Sequence, residues 1–269
     1  MSTVKPGNER EHESANRTSR DASLRAAVVL AGGDGRRLES YVRRLRGDAL
    51  PKQYVTLYGT QSLLERTFKR VERLVPPERI MTVVNHDHLQ YPDACRQLAG
   101  RPANTVVVQP RNRDTGPGLL LPLAYLQRRC EDAVVAVFPS DHYVSNDRAL
   151  MQHVETACRA VEERPDVIVL LGVSPNAPET DYGYVLPGSS MDADGAPRIR
   201  SVRRFIEKPT ARQAHDLIEQ GALWNTSILV FRLPMLLDLM WSVAPLLSLR
   251  FTEIVDAIGT PRAHDVIDA

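Results

Sequence analysis

The spacing of apolar residues divides the chain into alternating strand-like and helix-like stretches. Arg25–Ala31 is a nearly continuous apolar run and predicts a buried strand. Ser62–Leu74 places Leu63, Leu64, Thr67, Phe68, Val71 and Leu74 at helical spacing and stops at Pro76-Pro77. Arg79–Val84, Thr105–Gln109, Asp132–Phe138 and Asp166–Gly172 read as further strands, the last two as buried on both faces. Between them, His88–Leu98 predicts a helix weakened by Pro92. Asp114 or Thr115 caps a helix running to Arg129, kinked at Pro122, and Asp147–Arg164 is an amphipathic helix.

The second half changes rhythm. Tyr182–Leu186, Ile199–Glu207 and Thr226–Phe231 read as strands, with a turn over Met191–Pro197 and a helix over Ala211–Gln220. Helices follow at Pro234–Val243 and around Leu249–Ile258, after which no finishing element is visible. The β-α-β-α order predicts an α/β fold, Rossmann-like, with a mostly parallel mixed sheet flanked by helices. No linker divides 24–269, so one domain is expected there, preceded by a polar, disordered tail over 1–23.

Composition narrows the function classes. A 43% hydrophobic and 25% charged chain is ordinary for a globular protein, and a net charge of +1 provides no global field for nucleic acid. No apolar run is long enough to cross a membrane, and the start lacks a signal-like core. Cys95, Cys130 and Cys158 are widely spaced without a Cys-x-x-Cys pair, which predicts reduced thiols and a cytoplasmic setting.

Local charge is another matter. The first strand empties into Gly32, Gly33 and Gly35, then Arg36 and Arg37, a basic loop with Arg43, Arg44 and Arg46, and Pro51-Lys52. Glycines bring bare backbone N–H groups to an anion, and the cations add full charge. Leu38 stands where a dinucleotide loop needs its third glycine, and no Gly-Lys-Ser/Thr is present, so neither common phosphate loop fits. A polyphosphate cradle is one reading; a structural turn with a solvated basic face is the other. Asp141, after a buried strand, sits where a parallel sheet opens its ligand crevice and can hold Mg²⁺, or it caps a turn. His86, His88 and His142 have spacings that fit no usual zinc site and read as loop residues, solvated or hydrogen-bonded. Glu207-Lys208 at a strand end could meet sugar hydroxyls and a phosphate, or form a surface ion pair. Asn225 could bond hydroxyls or sit in a turn. At Gly183 the backbone could approach a sugar ring, or Tyr182-Gly183-Tyr184 could be aromatic packing.

The string from Leu30 to Leu38 with Pro51-Lys52-Gln53 resembles the signature of sugar-1-phosphate nucleotidyltransferases, and more specifically mannose-1-phosphate guanylyltransferases. Five more segments follow in the family's order: Gln109-Pro-x-Asn-Arg-Asp-Thr115-Gly-Pro-Gly118, Phe138-Pro-Ser-Asp141-His142, Pro178–Tyr184, Phe205-Ile-Glu207-Lys208-Pro209 and Trp224-Asn225. The resemblance implies that a nucleoside triphosphate (GTP) and a sugar 1-phosphate (mannose 1-phosphate) become a nucleotide sugar and pyrophosphate, with Mg²⁺ on Asp141. It implies Arg37, Lys52 and Asp141 as catalytic. Leu30, Ala31, Gly32, Gly33, Gly35, Gln109 and Thr115 would bind nucleotide, and Gly183, Glu207, Lys208 and Asn225 the sugar phosphate. A homo-oligomer is compatible with it.

Departures from the family pattern are Ser40, Ser227, a longer 37–51 loop and Thr115-Gly-Pro-Gly118. The family's second metal-binding aspartate has no match before Ala269, so a domain cut short at its C-terminal end is expected. The competing class is a catalytically impaired relative that binds nucleotide sugar in a regulatory role. Within the enzyme class, an isoprenoid-type cytidylyltransferase also carries a glycine loop and Pro-Lys-Gln; Glu207-Lys-Pro209 and Trp224-Asn225 favour sugars. RNA binding by the arginines lacks aromatic interleaving.

Overall fold

Seven residues of β1 (Arg25–Ala31) divide their side chains between two cores, and that division organises the molecule. In the computed structural model, which describes residues 24–191 and 199–269, Ala27, Val29 and Ala31 face one core and Ala26 and Val28 the other. This is the two-residue period of a strand buried on both faces. β2 (Ile80–Asn85) and β4 (Val134–Pro139) flank β1 in parallel, and β3 (Val106–Gln109) pairs in parallel with β2.

The sheet has eight strands in the order β3-β2-β1-β4-β8-β6-β7, with β5 (Val169–Val173) added to β8. β8 (Leu223–Arg232) runs antiparallel to β4, β5 and β6 (Gly183–Ser190), and β7 (Arg200–Glu207) runs antiparallel to β6. Among the described residues, β1 through β6 therefore share one direction and only β7 and β8 oppose it. The mostly parallel mixed sheet expected from the sequence is what forms.

Helices cover both faces. α2 (Leu63–Val71) and α5 (Asp147–Glu163) pack on the Ala27–Val29 side, and α4 (Thr115–Gln127) and α8 (Pro245–Ala257) on the Ala26–Val28 side. Ser62 caps α2 in a reciprocal box with Glu65, an arrangement worth about 1 kcal/mol. A smaller cluster of Tyr184, Leu186, Ala214, Leu217 and Ala222 seats α6 (Ala211–Glu219) on β6. α7 (Leu233–Val243) follows β8 directly.

Several expectations are corrected. The basic stretch after Gly35 is a helix, α1 (Arg36–Arg46), not a loop. Val42 is its buried anchor, an Arg43–Glu39 pair supports it, and Gly47 at φ 85° ends it. Pro92 does not weaken a helix but starts one: α3 (Pro92–Ala99) follows a separate 3₁₀ turn over His86–Gln90. Asp166–Gly172 is not a strand buried on both faces. β5 begins at Val169 and hangs off β8, leaving Val173 50% exposed. The chain also finishes in a helix, α9 (Ala263–Asp268). α4 runs without a break through Pro122. The expected tail over 1–23, and 192–197 of the expected Met191–Pro197 turn, lie outside the described residues. The three cysteines are free, as their spacing predicts. No helix among the described residues is long and apolar enough to cross a membrane.

Candidate nucleotide and sugar-phosphate site

Because β1, β2, β3 and β4 are parallel, their C-terminal ends gather on one edge of the sheet. Ala31, Asn85, Gln109 and Pro139 mark it. The polar residues buried there, Gln53, Asn85, His88, Gln109 and Ser140, make an unusually polar floor for the end of an apolar core. Buried polar groups need partners, and here they grip the loop leaving β1. Ser140 donates to the Leu30 carbonyl through both its backbone N–H (3.1 Å) and its hydroxyl (2.7 Å). The Gln53 amide nitrogen donates to the carbonyls of Ala31 and Gly33.

The glycines earn their places by close approach. A Cβ on Gly32 would lie 2.6 Å from Nε2 of Gln109, and one on Gly118 would lie 3.4 Å from Oε1 of the same side chain. Gln109 is thus wedged between the β1 loop and the start of α4. Gly35, at φ 67°, would put a Cβ 3.1 Å from the Lys52 backbone nitrogen. The loop then opens onto the first turn of α1, whose N–H groups and dipole favour anions. Arg37 lies in that turn; its side chain is outside the described residues. Thr115 starts α4 from an exposed position, preceded by Asp114 at φ 63°. A cleft of about 550 Å³ opens beside Gln109, bounded by Arg111, Arg113, Pro117 and α8.

Lys52 reaches from the turn after Pro51 and places its ammonium nitrogen 2.6 Å from Oδ2 of Asp141. Burial alone would raise the Asp141 carboxyl, but the Lys52 hydrogen bond and charge outweigh it and hold the group below its ordinary value. Asp141 is therefore ionised at neutral pH. Its neighbour His142 is pushed down, chiefly by burial, against the pull of the Asp141 charge. An ionised, partly exposed carboxylate at a strand end suits Mg²⁺, which takes one or two carboxylates and fills its shell with water and phosphate oxygens. His215, Asp216 and Glu219, on an exposed face of α6, are the one group of three possible ligands within mutual reach among the described residues, and Asp141 is not in it.

The residues expected on the sugar side, Gly183, Glu207, Lys208 and Asn225, form a second group. Gly183 pairs with Glu207 across β6 and β7, and Tyr184 pairs with Trp224 across β6 and β8. A Cβ on Gly183 would lie 2.6 Å from Oε2 of Glu207, 3.1 Å from the Phe205 ring and 3.5 Å from Cβ of Asn225. Gly183, Glu207 and Asn225 thus surround one small space. Asn225 is inside β8 and not in a turn, its Oδ1 accepting from the backbone N–H of Ser227. Lys208 follows at φ 46° and its N–H donates to the Tyr182 carbonyl, so its exposed side chain departs from the strand direction. Val137 pairs with Leu229, so Asp141 and Asn225 each lie four residues beyond that pair (137 to 141; 229 to 225). The end of β4 and the start of β8 thereby bring Asp141 and the Gly183–Glu207–Asn225 group to the same edge of the sheet.

Sequence reasoning missed Gln53 and His88 as site residues. Tyr54 Oη lies 3.2 Å from Nδ1 of His88, and both rings are buried. His88 is thus neither solvated nor set for zinc, whereas His86 is exposed. Tyr54 and His88 are 34 residues apart in the chain, so no local spacing pairs them.

The glycine loop over the start of α1, the Lys52–Asp141 pair and the group around Gly183 thus share one edge of the sheet. The chain belongs to the nucleotidyl transferase family, whose sequence profile matches residues 26–253. It is 32% identical over 207 residues to the mannose-1-phosphate guanylyltransferase of Klebsiella pneumoniae and 31% identical to that of Escherichia coli. Each alignment covers 76% of this chain and 42% of the relative, so the chain spans about two fifths of those proteins' length. A solved Thermus thermophilus structure described as a mannose-1-phosphate geranyltransferase superposes with a TM-score of 0.72 at 30% identity, over 90% of this chain and 66% of that one.

Proposed function

We propose that this chain joins GTP to mannose 1-phosphate, giving GDP-mannose and pyrophosphate, with Mg²⁺ as cofactor. The observation that carries the proposal is the line Gly35–Lys52–Asp141: a Cβ on Gly35 would lie 3.1 Å from the Lys52 backbone nitrogen, and the Lys52 ammonium lies 2.6 Å from the Asp141 carboxylate. The names of the Klebsiella and Escherichia relatives support the choice of guanine and mannose.

In this reading Leu30, Ala31, Gln109 and Thr115 receive the nucleoside, and Gly32, Gly33 and Gly35 the phosphates. Arg37 and Lys52 neutralise the β- and γ-phosphates. Gly183 and Asn225 accept the pyranose, Glu207 takes its hydroxyls, and Lys208 meets its phosphate. The nucleophile is a phosphate oxygen with a second pKa of about 6, already ionised at neutral pH, so no general base is needed. Catalysis consists of aligning two anions and supplying positive charge where it builds on the departing pyrophosphate. Asp141 would hold Mg²⁺, which would supply further positive charge to the phosphates. We place this reaction in the cytoplasm, a setting that three free thiols suit.

The test is pyrophosphate release from a matrix of nucleoside triphosphates against sugar 1-phosphates with Mg²⁺. GTP with mannose 1-phosphate should give the highest rate. Binding without release in every pair would instead support a non-catalytic nucleotide-sugar-binding role.

A further inference from the structure

Gln53 is 2% exposed, beneath the loop that leaves β1. Its Nε2 lies 2.8 Å from the Ala31 carbonyl oxygen and 3.0 Å from that of Gly33. A primary amide nitrogen carries two hydrogens, and only that end of the side chain can donate to two carbonyls, which fixes its orientation. Two alternate carbonyls of one loop are therefore drawn to the same, buried side.

Each carbonyl belongs to a planar unit in which the next residue's N–H points the opposite way. No cis peptide occurs among the described residues. The N–H of Gly32, and that of Asp34, must then point away from Gln53. Gly33, between them, is exposed. Tyr54 follows Gln53 directly and is braced by His88, so the donor is held from below. Peptide units whose carbonyls are tied to one side and whose N–H groups face the other are an arrangement that can receive an anion, although Gly32 itself is buried.

We propose that Gln53 is a positioning residue: its amide turns the N–H face of the 31–35 loop, the Gly32 N–H above all, toward the phosphates of a bound nucleoside triphosphate. This rests on the nucleotide-binding reading of the site. Gln53 touches no phosphate itself and acts through the backbone it orients.

Gln53→Glu keeps the side-chain shape and replaces two donors by an oxygen that repels both carbonyls. Calorimetric titration of wild type and variant with GTP, and separately with guanosine, reads the effect. The expected result is a GTP dissociation constant raised on the order of 10-fold or more, with that of guanosine unchanged. A residue that merely holds the fold together would weaken both ligands alike. If wild type binds GTP and the variant binds it equally well, this proposal falls and the nucleotide reading stands. If wild type binds no nucleoside triphosphate, both fall. Should the variant not fold, the ¹H–¹⁵N spectrum of the wild-type chain titrated with tripolyphosphate decides. The Gly32 amide resonance should move on binding; binding that leaves it in place overturns the proposal.

Discussion

The ammonium of Lys52 and the carboxylate of Asp141 lie 2.6 Å apart, and the pair ties the turn after Pro51 to the end of β4. Lys52 stands against Gly35 on the β1 loop, and Asp141 stands at the end of β4. Each half of the pair is about a quarter exposed, so its stabilising contribution is at most ~1 kcal/mol. Its importance is electrostatic: it keeps Asp141 ionised in a partly buried setting.

Asp141→Asn should therefore separate activity from stability. Turnover with Mg²⁺ is expected to fall on the order of 10²-fold or more, while the unfolding midpoint hardly moves. Parallel kinetic and thermal-melt measurements check this. Full turnover in the variant would remove Asp141 from the chemistry.

Gly183→Ala is expected to act on the sugar phosphate alone. The added methyl meets Glu207, Phe205 and Asn225 together, which fills the space assigned to the pyranose. Misplacement of that substrate should cost on the order of 10²-fold in kcat/KM for the sugar 1-phosphate. The KM for the triphosphate should stay at its wild-type value; equal losses for both substrates would contradict the division of the site.

His88 introduces a pH dependence. Burial lowers its pKa from the ordinary 6.5, against the influence of Asp34, Asp87 and the Ala31 carbonyl, which favour the proton. Tyr54, also packed on it, keeps its proton because burial raises its pKa. Below pH 6.5 the unfolded chain takes up a proton at this position before the folded one does, so stability is fully present above that pH and declines as pH falls. Thermal melts between pH 7.5 and 5.5 should show a steeper loss in wild type than in His88→Gln. Identical slopes would show that His88 titrates alike in both states.

Arg70, 2% exposed on α2, is held by Asp147 at the start of α5 at 2.7 Å. Asp147→Ala leaves a buried guanidinium short of its acceptor and should cost about 2 kcal/mol in urea unfolding. A change below ~0.5 kcal/mol would mean that solvent replaces the carboxylate.

Much of this architecture was legible in the chain. β1, β2 and β4 are apolar on both faces, so hydrophobic pattern alone locates them. Gly32, Gly35 and Gly183 stand out because glycine follows or opens a strand where no turn is otherwise required. Helix α1 was not legible as a helix: seven of its eleven residues are arginine, serine or glutamate and only Val42 is fully buried, so the apolar period is faint. β5 was misread as fully buried because apolar content says nothing of how many neighbours a strand finds in the sheet. Gln53 and His88 were assigned no site role because their partners, the Ala31 and Gly33 carbonyls and the Tyr54 hydroxyl, are distant in sequence, which no spacing rule records.

The central claim is nucleotidyl transfer at the Lys52–Asp141 edge of the sheet, and its most direct test runs the reaction backwards. The chain is incubated with GDP-mannose, Mg²⁺ and labelled pyrophosphate, and label is sought in GTP. The account predicts labelled GTP from wild type and almost none from Asp141→Asn. Absence of labelled triphosphate from GDP-mannose and from every other nucleotide sugar tried would contradict it.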